Sequence, residues 1–173
     1  FTGQGRDDAA GASKGGDVEV PALAFEDRPR QFERFIARID ADRPDSFSFL
    51  HVLLPHTAWE YLPTGQRYPA PPGGEVPGVD DNGVWTPEPA LPQLGLQRSV
   101  LQLGYVDRMV GRLVARLRSE GLYDRTLLIL AADHGISFRP GASRRTAEGP
   151  AAADVLGVPL FVKAPRQREG GTD

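Results

Sequence analysis

The 173-residue sequence contains no cysteine, one methionine and three histidines. The missing cysteine excludes disulfides, thiolate metal ligands and a cysteine nucleophile within these residues, while leaving the compartment open. No run of about 18 apolar residues occurs, and no charged-then-apolar leader, so the signatures of a spanning helix and a signal segment are absent. The sequence opens on Phe1 and not on Met, which reads as a processed or excised product. Strong charge of either sign is also missing. A net charge of −3 argues against a basic nucleic-acid or membrane-surface binder. Glycine (20) and proline (16) are plentiful, which predicts long loops. At 40% hydrophobic residues the chain suits one globular domain, or part of a larger one, with a buried core.

Residues 1–28 read as a flexible lead-in, with a short strand possible at Val18, Val20 and Leu23. Phe32, Phe35, Ile36 and Ile39 recur at i, i+3, i+4, i+7, which predicts an amphipathic helix over Pro29–Asp40, ended by Asp42, Pro44 and Asp45. Phe47–Leu54 is a short apolar run that reads as a strand buried on both faces, the pattern of a parallel sheet. Residues 56–95 hold eight prolines and no helical period, and so form a long loop, with Trp59, Tyr61, Tyr68 and Trp85 to pack against something. Leu96–Glu120 is the strongest helix, with Leu96, Val100, Leu103, Val106, Val110, Leu113, Val114 and Leu117 in register and Gly121 to stop it. Thr126–Ala132 and Val158–Ala164 read as further strands, and residues 166–173 as a tail. Strand, helix, strand predicts a parallel, right-handed crossover, so the fold class is α/β: a parallel-sheet sandwich with flanking helices.

Ligand sites in open parallel sheets gather at the carboxyl ends of the strands. One strand runs into Pro55-His56-Thr57 and another into Asp133-His134-Gly135, so parallel strands would place both histidines on one edge. Asp133 and His134 offer a carboxylate and an imidazole, a pair that suits Zn²⁺ or Mn²⁺ better than Ca²⁺; the bland reading makes Asp133 a turn cap and His134 a solvated loop residue. Gly135 would let the backbone turn sharply. His56 could donate to an anionic oxygen or act as general acid, or simply pack under Trp59 or Tyr61. Arg144 and Arg145 could grip a phosphate or sulfate, or be a solvated pair. His51 reads as a core histidine and Lys163 as an amine reaching solvent.

The segments FSFLHVLLPHTAWEYLPTGQRY, GLYDRTLLILAADHGISFRPG and VPLFVKAP, in this order over residues 29–165, resemble the sulfatase-like branch of the alkaline phosphatase superfamily. They look closest to the extracytoplasmic domains of bacterial membrane proteins, relatives of the phosphoglycerol and phosphoethanolamine transferases of cell envelopes. The resemblance implies an alkaline-phosphatase-like fold and a divalent metal (Zn, Mn or Ca) on Asp133 and His134. It implies contact of His56 with the transferred group, an anionic ester or envelope-lipid substrate, no nucleic acid, and a membrane tether outside this chain. In that family the metal activates a Ser, Thr or formylglycine nucleophile. This sequence has no Ser-x-Pro-x-Arg and no acid ending an apolar strand before residue 47. It therefore corresponds to the C-terminal part of such a domain and is expected to be inactive alone. A non-catalytic binding or scaffold domain is the alternative, and an unrelated α/β domain the third.

Overall fold

The structure, a computed structural model, describes residues 27–43, 46–69 and 76–172. The possible strand at Val18, Val20 and Leu23 lies outside these residues, as do Pro44 and Asp45. Helix α1 spans Arg28–Ala37, with Pro29 in its first turn, where no intrahelical N–H bond is lost. It buries Phe32 and Ile36. Helix α2 spans Ala90–Ser119, beginning well before Leu96 and taking the end of the expected loop into the helix. Pro92 hid this start. It sits in the first turn, whose N–H groups have no helical partner, so proline there breaks nothing.

Burial along α2 departs from the expected stripe. Its second half buries Met109, Leu113 and Leu117, but its first half buries Pro92, Gly95 and Gln102, leaving Leu96, Val100 and Leu103 exposed. Met109, Leu113 and Leu117 meet Phe32 and Ile36 in the main core, flanked by Leu50, Val52 and Leu128. Each such side chain stabilises the fold by roughly 1.5–3 kcal/mol. Arg112 reaches from α2 to Glu33 of α1, Nη2 to Oε2 at 2.6 Å. Gly121, at φ +66, ends α2 in a Schellman motif: Leu122 N donates to Leu117 O (2.8 Å) and Gly121 N to Arg118 O (3.0 Å).

Strand β1 spans Leu128–Ala131 and β2 spans Leu160–Lys163, and they pair antiparallel, Leu128 opposite Lys163 and Ala131 opposite Leu160. The one ladder among the described residues is therefore antiparallel, which corrects the expected parallel sheet at the β1–β2 pair. Residues 46–54 are also corrected. They join no ladder among the described residues, and Phe47 (91% exposed) and Phe49 (76%) face outward. Leu50 and Val52 pack against the main core, and Leu54 is buried. β1 alternates, one face on the helices and Ile129 on the open side. These runs are therefore half-buried here, not buried on both faces. A short 3₁₀ turn, Gly149–Ala151, leads into α3, Ala152–Leu156.

The loop aromatics do pack. Trp85 is almost wholly buried and donates through Nε1 to Ser137 O (2.8 Å); Trp59 and Trp85 both tilt onto Phe138, at 5.4 and 5.8 Å between centroids. Lys163 does not reach solvent as expected. It folds onto the Tyr123 ring (4.3 Å) and donates to the carbonyls of Tyr123 and Thr126.

Candidate functional site

The turn carrying His56 is built from two buried side chains of different helices. Arg28, 4% exposed, donates through Nη1 to Leu53 O (2.9 Å) and His56 O (2.7 Å), and through Nη2 to Ala58 O (3.1 Å). Its charge meets Glu60 at 3.4 Å, and Glu60 is also paired with Arg67 at 2.8 Å. Gln102 of α2, fully buried, donates to Pro55 O (3.0 Å) and His56 O (2.9 Å) and accepts from Glu60 N (2.9 Å). A bend that exposes so many carbonyls to the interior needs this many donors. The polar Gln102 inside an otherwise apolar helix face is explained by that need.

His56 Nδ1 lies 2.8 Å from Thr57 O, and His134 Nδ1 lies 2.7 Å from Gly135 O. A carbonyl only accepts, so each Nδ1 carries the proton and each neutral ring turns a lone pair outward at Nε2. Both lone pairs meet one group. Arg145 Nη1 is 3.5 Å from His56 Nε2, and Arg145 Nη2 donates to His134 Nε2. The structure thus brings together His56, His134 and Arg145, whose positions span 89 residues of sequence.

Asp133 Oδ2 is 3.8 Å from His134 Nε2, close enough for both to reach one ion. Partial burial pushes the Asp133 carboxyl upward, but His134, the backbone N–H groups of Asp133 and His134, and His51 outweigh it and hold it below its ordinary value. His51 is therefore not the core histidine expected; it is exposed and within electrostatic reach of Asp133. Among the described residues no group of three or more carboxylate or imidazole side chains gathers around a common point.

Arg144 lies beside Arg145, and its Nε is buried with no partner among the described residues. Burial first, and the Arg145 charge second, lower its guanidinium from the ordinary value. An anion would relieve both. Gly135 serves a purpose other than the sharp turn expected: a Cβ there would stand 2.1 Å from Asp154 O, so glycine lets α3 approach. Gly135 N donates to Val155 O (2.7 Å), and Arg139 grips Asp154, Nε to Oδ2 at 2.7 Å. These contacts fix the segment that follows Asp133 and His134.

Arg28, Gln102 and Glu60 are the site-building residues that sequence reasoning missed. One signal was available, a glutamine on the helical stripe between Leu96 and Leu117, but its partners are distant in sequence.

A sequence model of the Sulfatase family matches residues 29–172. No curated protein matches the chain.

Proposed function

The chain belongs to the sulfatase family, within the alkaline phosphatase superfamily, and from that footing we propose that it supplies part of a metal-dependent site for hydrolysis or transfer of phosphate or sulfate esters. Membership carries an alkaline-phosphatase-like α/β fold and sulfatase-like hydrolase or transferase chemistry. The single observation that supports the finer reading is the convergence of His56, His134 and Arg145 beside Asp133.

Asp133 and His134 fit two positions of a divalent-metal site. The Nδ1–H bond to Gly135 O fixes the His134 tautomer and leaves the lone pair on Nε2, the atom that meets Arg145 and that would ligate a metal. When bound, the metal would act as a Lewis acid on the ester oxygens. The remaining steps belong to this chain's side chains. Arg144 and Arg145 orient the oxyanion and balance its charge. His56 holds its Nδ1 proton on Thr57 O, so it becomes a proton donor at Nε2 only when the ring is protonated and Arg145 has left it.

The reading places residues 46–54 and β1 in one parallel sheet, since both lead into the site at their carboxyl ends. The nucleophile and further metal ligands come from outside these residues, so the chain alone is inactive. An extracytoplasmic location and a membrane tether beyond this chain belong to the same proposal, resting on the envelope-protein resemblance. No helix among the described residues is long and apolar enough to cross a membrane. The test is hydrolysis of an aryl phosphate and an aryl sulfate by the full-length protein during Mn²⁺ or Zn²⁺ titration. Metal-dependent turnover lost in Asp133→Ala and His134→Ala is expected. Equal activity in those variants would reject the site, and no turnover with either metal would replace the enzyme with a binding domain.

A further inference from the structure

The metal and the oxyanion of this reading make conflicting demands on one side chain. A metal on His134 needs the Nε2 lone pair, and Arg145 occupies that lone pair. An oxyanion needs guanidinium donors, and Arg145 spends its two terminal nitrogens on His134 and His56. Arg145 is exposed and makes no ion pair with a carboxylate among the described residues, so little else holds it in place. Its neighbour Arg144 has a buried Nε without a partner among the described residues. The site therefore has an acceptor pair covered by a cation and, next to it, a donor left unpaired.

We propose that Arg145 is an internal stand-in for the metal: its guanidinium holds the His56 and His134 Nε2 lone pairs, a divalent cation enters by displacing it, and the displaced guanidinium joins Arg144 on the oxyanion. The inference rests on the metal reading of Asp133 and His134 and adds a coupling to it. Two cations cannot share one lone pair, so Arg145 and the metal exclude each other at Nε2. An oxyanion that draws Arg145 away opens the metal position, and a metal that expels Arg145 frees it for the oxyanion. By linkage the two ligands then strengthen each other's binding by the same factor.

The experiment is Co²⁺ binding to the full-length protein, followed by calorimetry and by cobalt absorption, with and without inorganic sulfate. Arg145→Gln and Arg145→Ala are the variants, with circular dichroism as the check that they fold. Without sulfate both variants are expected to bind Co²⁺ about tenfold more tightly than the unaltered chain, in the usual range of couplings. Sulfate is expected to tighten Co²⁺ binding by a similar factor in the unaltered chain and to lose most of that effect in the variants. Equal or weaker Co²⁺ binding by both variants without sulfate would overturn the role of Arg145 while leaving the metal site standing. Co²⁺ binding undiminished in Asp133→Ala and His134→Ala, or absent from every protein, would overturn the metal reading and this inference with it.

Discussion

Gln102 Nε2 donates to His56 O at 2.9 Å, tying the buried centre of α2 to the turn that presents the His56 ring to Arg145. The same amide accepts from Glu60 N and donates to Pro55 O, so one side chain serves four backbone groups when Tyr61 N (3.4 Å) is included. Gln102→Leu keeps the volume and removes every one of these bonds. We expect it to lower unfolding free energy by about 2–4 kcal/mol, because buried carbonyl and N–H groups lose their partner. Urea unfolding measures the loss, and the His56 ring resonances in a histidine-labelled spectrum should shift.

Arg28→Met is expected to be more damaging than its place at the start of a helix suggests. It removes the donor to Leu53, His56 and Ala58 carbonyls and leaves Glu60 buried with Arg67 as its one remaining ion pair among the described residues. A cost on the order of 3 kcal/mol follows from breaking a buried charge pair. Arg28→Lys should restore little, since an ammonium cannot span carbonyls at both ends of the turn. Recovery of full stability by lysine in urea unfolding would contradict this account.

Gly135→Ala tests the approach of α3 to the Asp133–His134 segment. The new methyl would stand 2.1 Å from Asp154 O, a backbone atom that cannot rotate aside. The expected destabilisation is about 1–3 kcal/mol or more, from overpacking. Thermal unfolding reads it, and weakened Co²⁺ binding should accompany it if the segment shifts.

The Asp154 carboxyl provides a pH test. Its hydrogen bonds from Arg139 first, and Ser137 second, hold it below its ordinary value against a smaller upward push from burial. A lowered folded-state value means that the contribution is present above the unfolded carboxylate value and is lost as pH falls through the folded one. Unfolding free energy of the unaltered chain should therefore fall on acidification below about pH 4. Asp154→Asn should flatten that part of the profile. An identical slope in the variant would show that Asp154 does not carry it.

How far the sequence reaches can be judged from α2 and the sheet. The second half of α2 was legible because Leu113 and Leu117 meet apolar residues of α1, and apolar contact leaves a periodic trace; Met109, buried beside them, stood off the expected stripe. The first half was not, because Gln102 and Gly95 are buried for polar and steric reasons that leave no hydrophobic signal. Phe47, Phe49 and Ile129 read as interior residues from composition alone, yet they line an open face. An apolar run records what a strand can cover, and says nothing of whether a neighbour is present to cover it.

By itself the sequence determined the order of α1, α2, β1 and β2, the Gly121 stop, the placement of Asp133-His134 just past β1, and the family. All of these depend on local spacing or on short stretches of chain, which is where side-chain period and backbone preference act. The tertiary structure alone decided that β1 and β2 run antiparallel, that Arg28 and Gln102 build the His56 turn, and that Arg145 lies on both imidazoles. Those facts are pairings across many residues of chain. They depend on which donors and acceptors the packed helices bring within hydrogen-bond distance, and a linear sequence does not contain that distance.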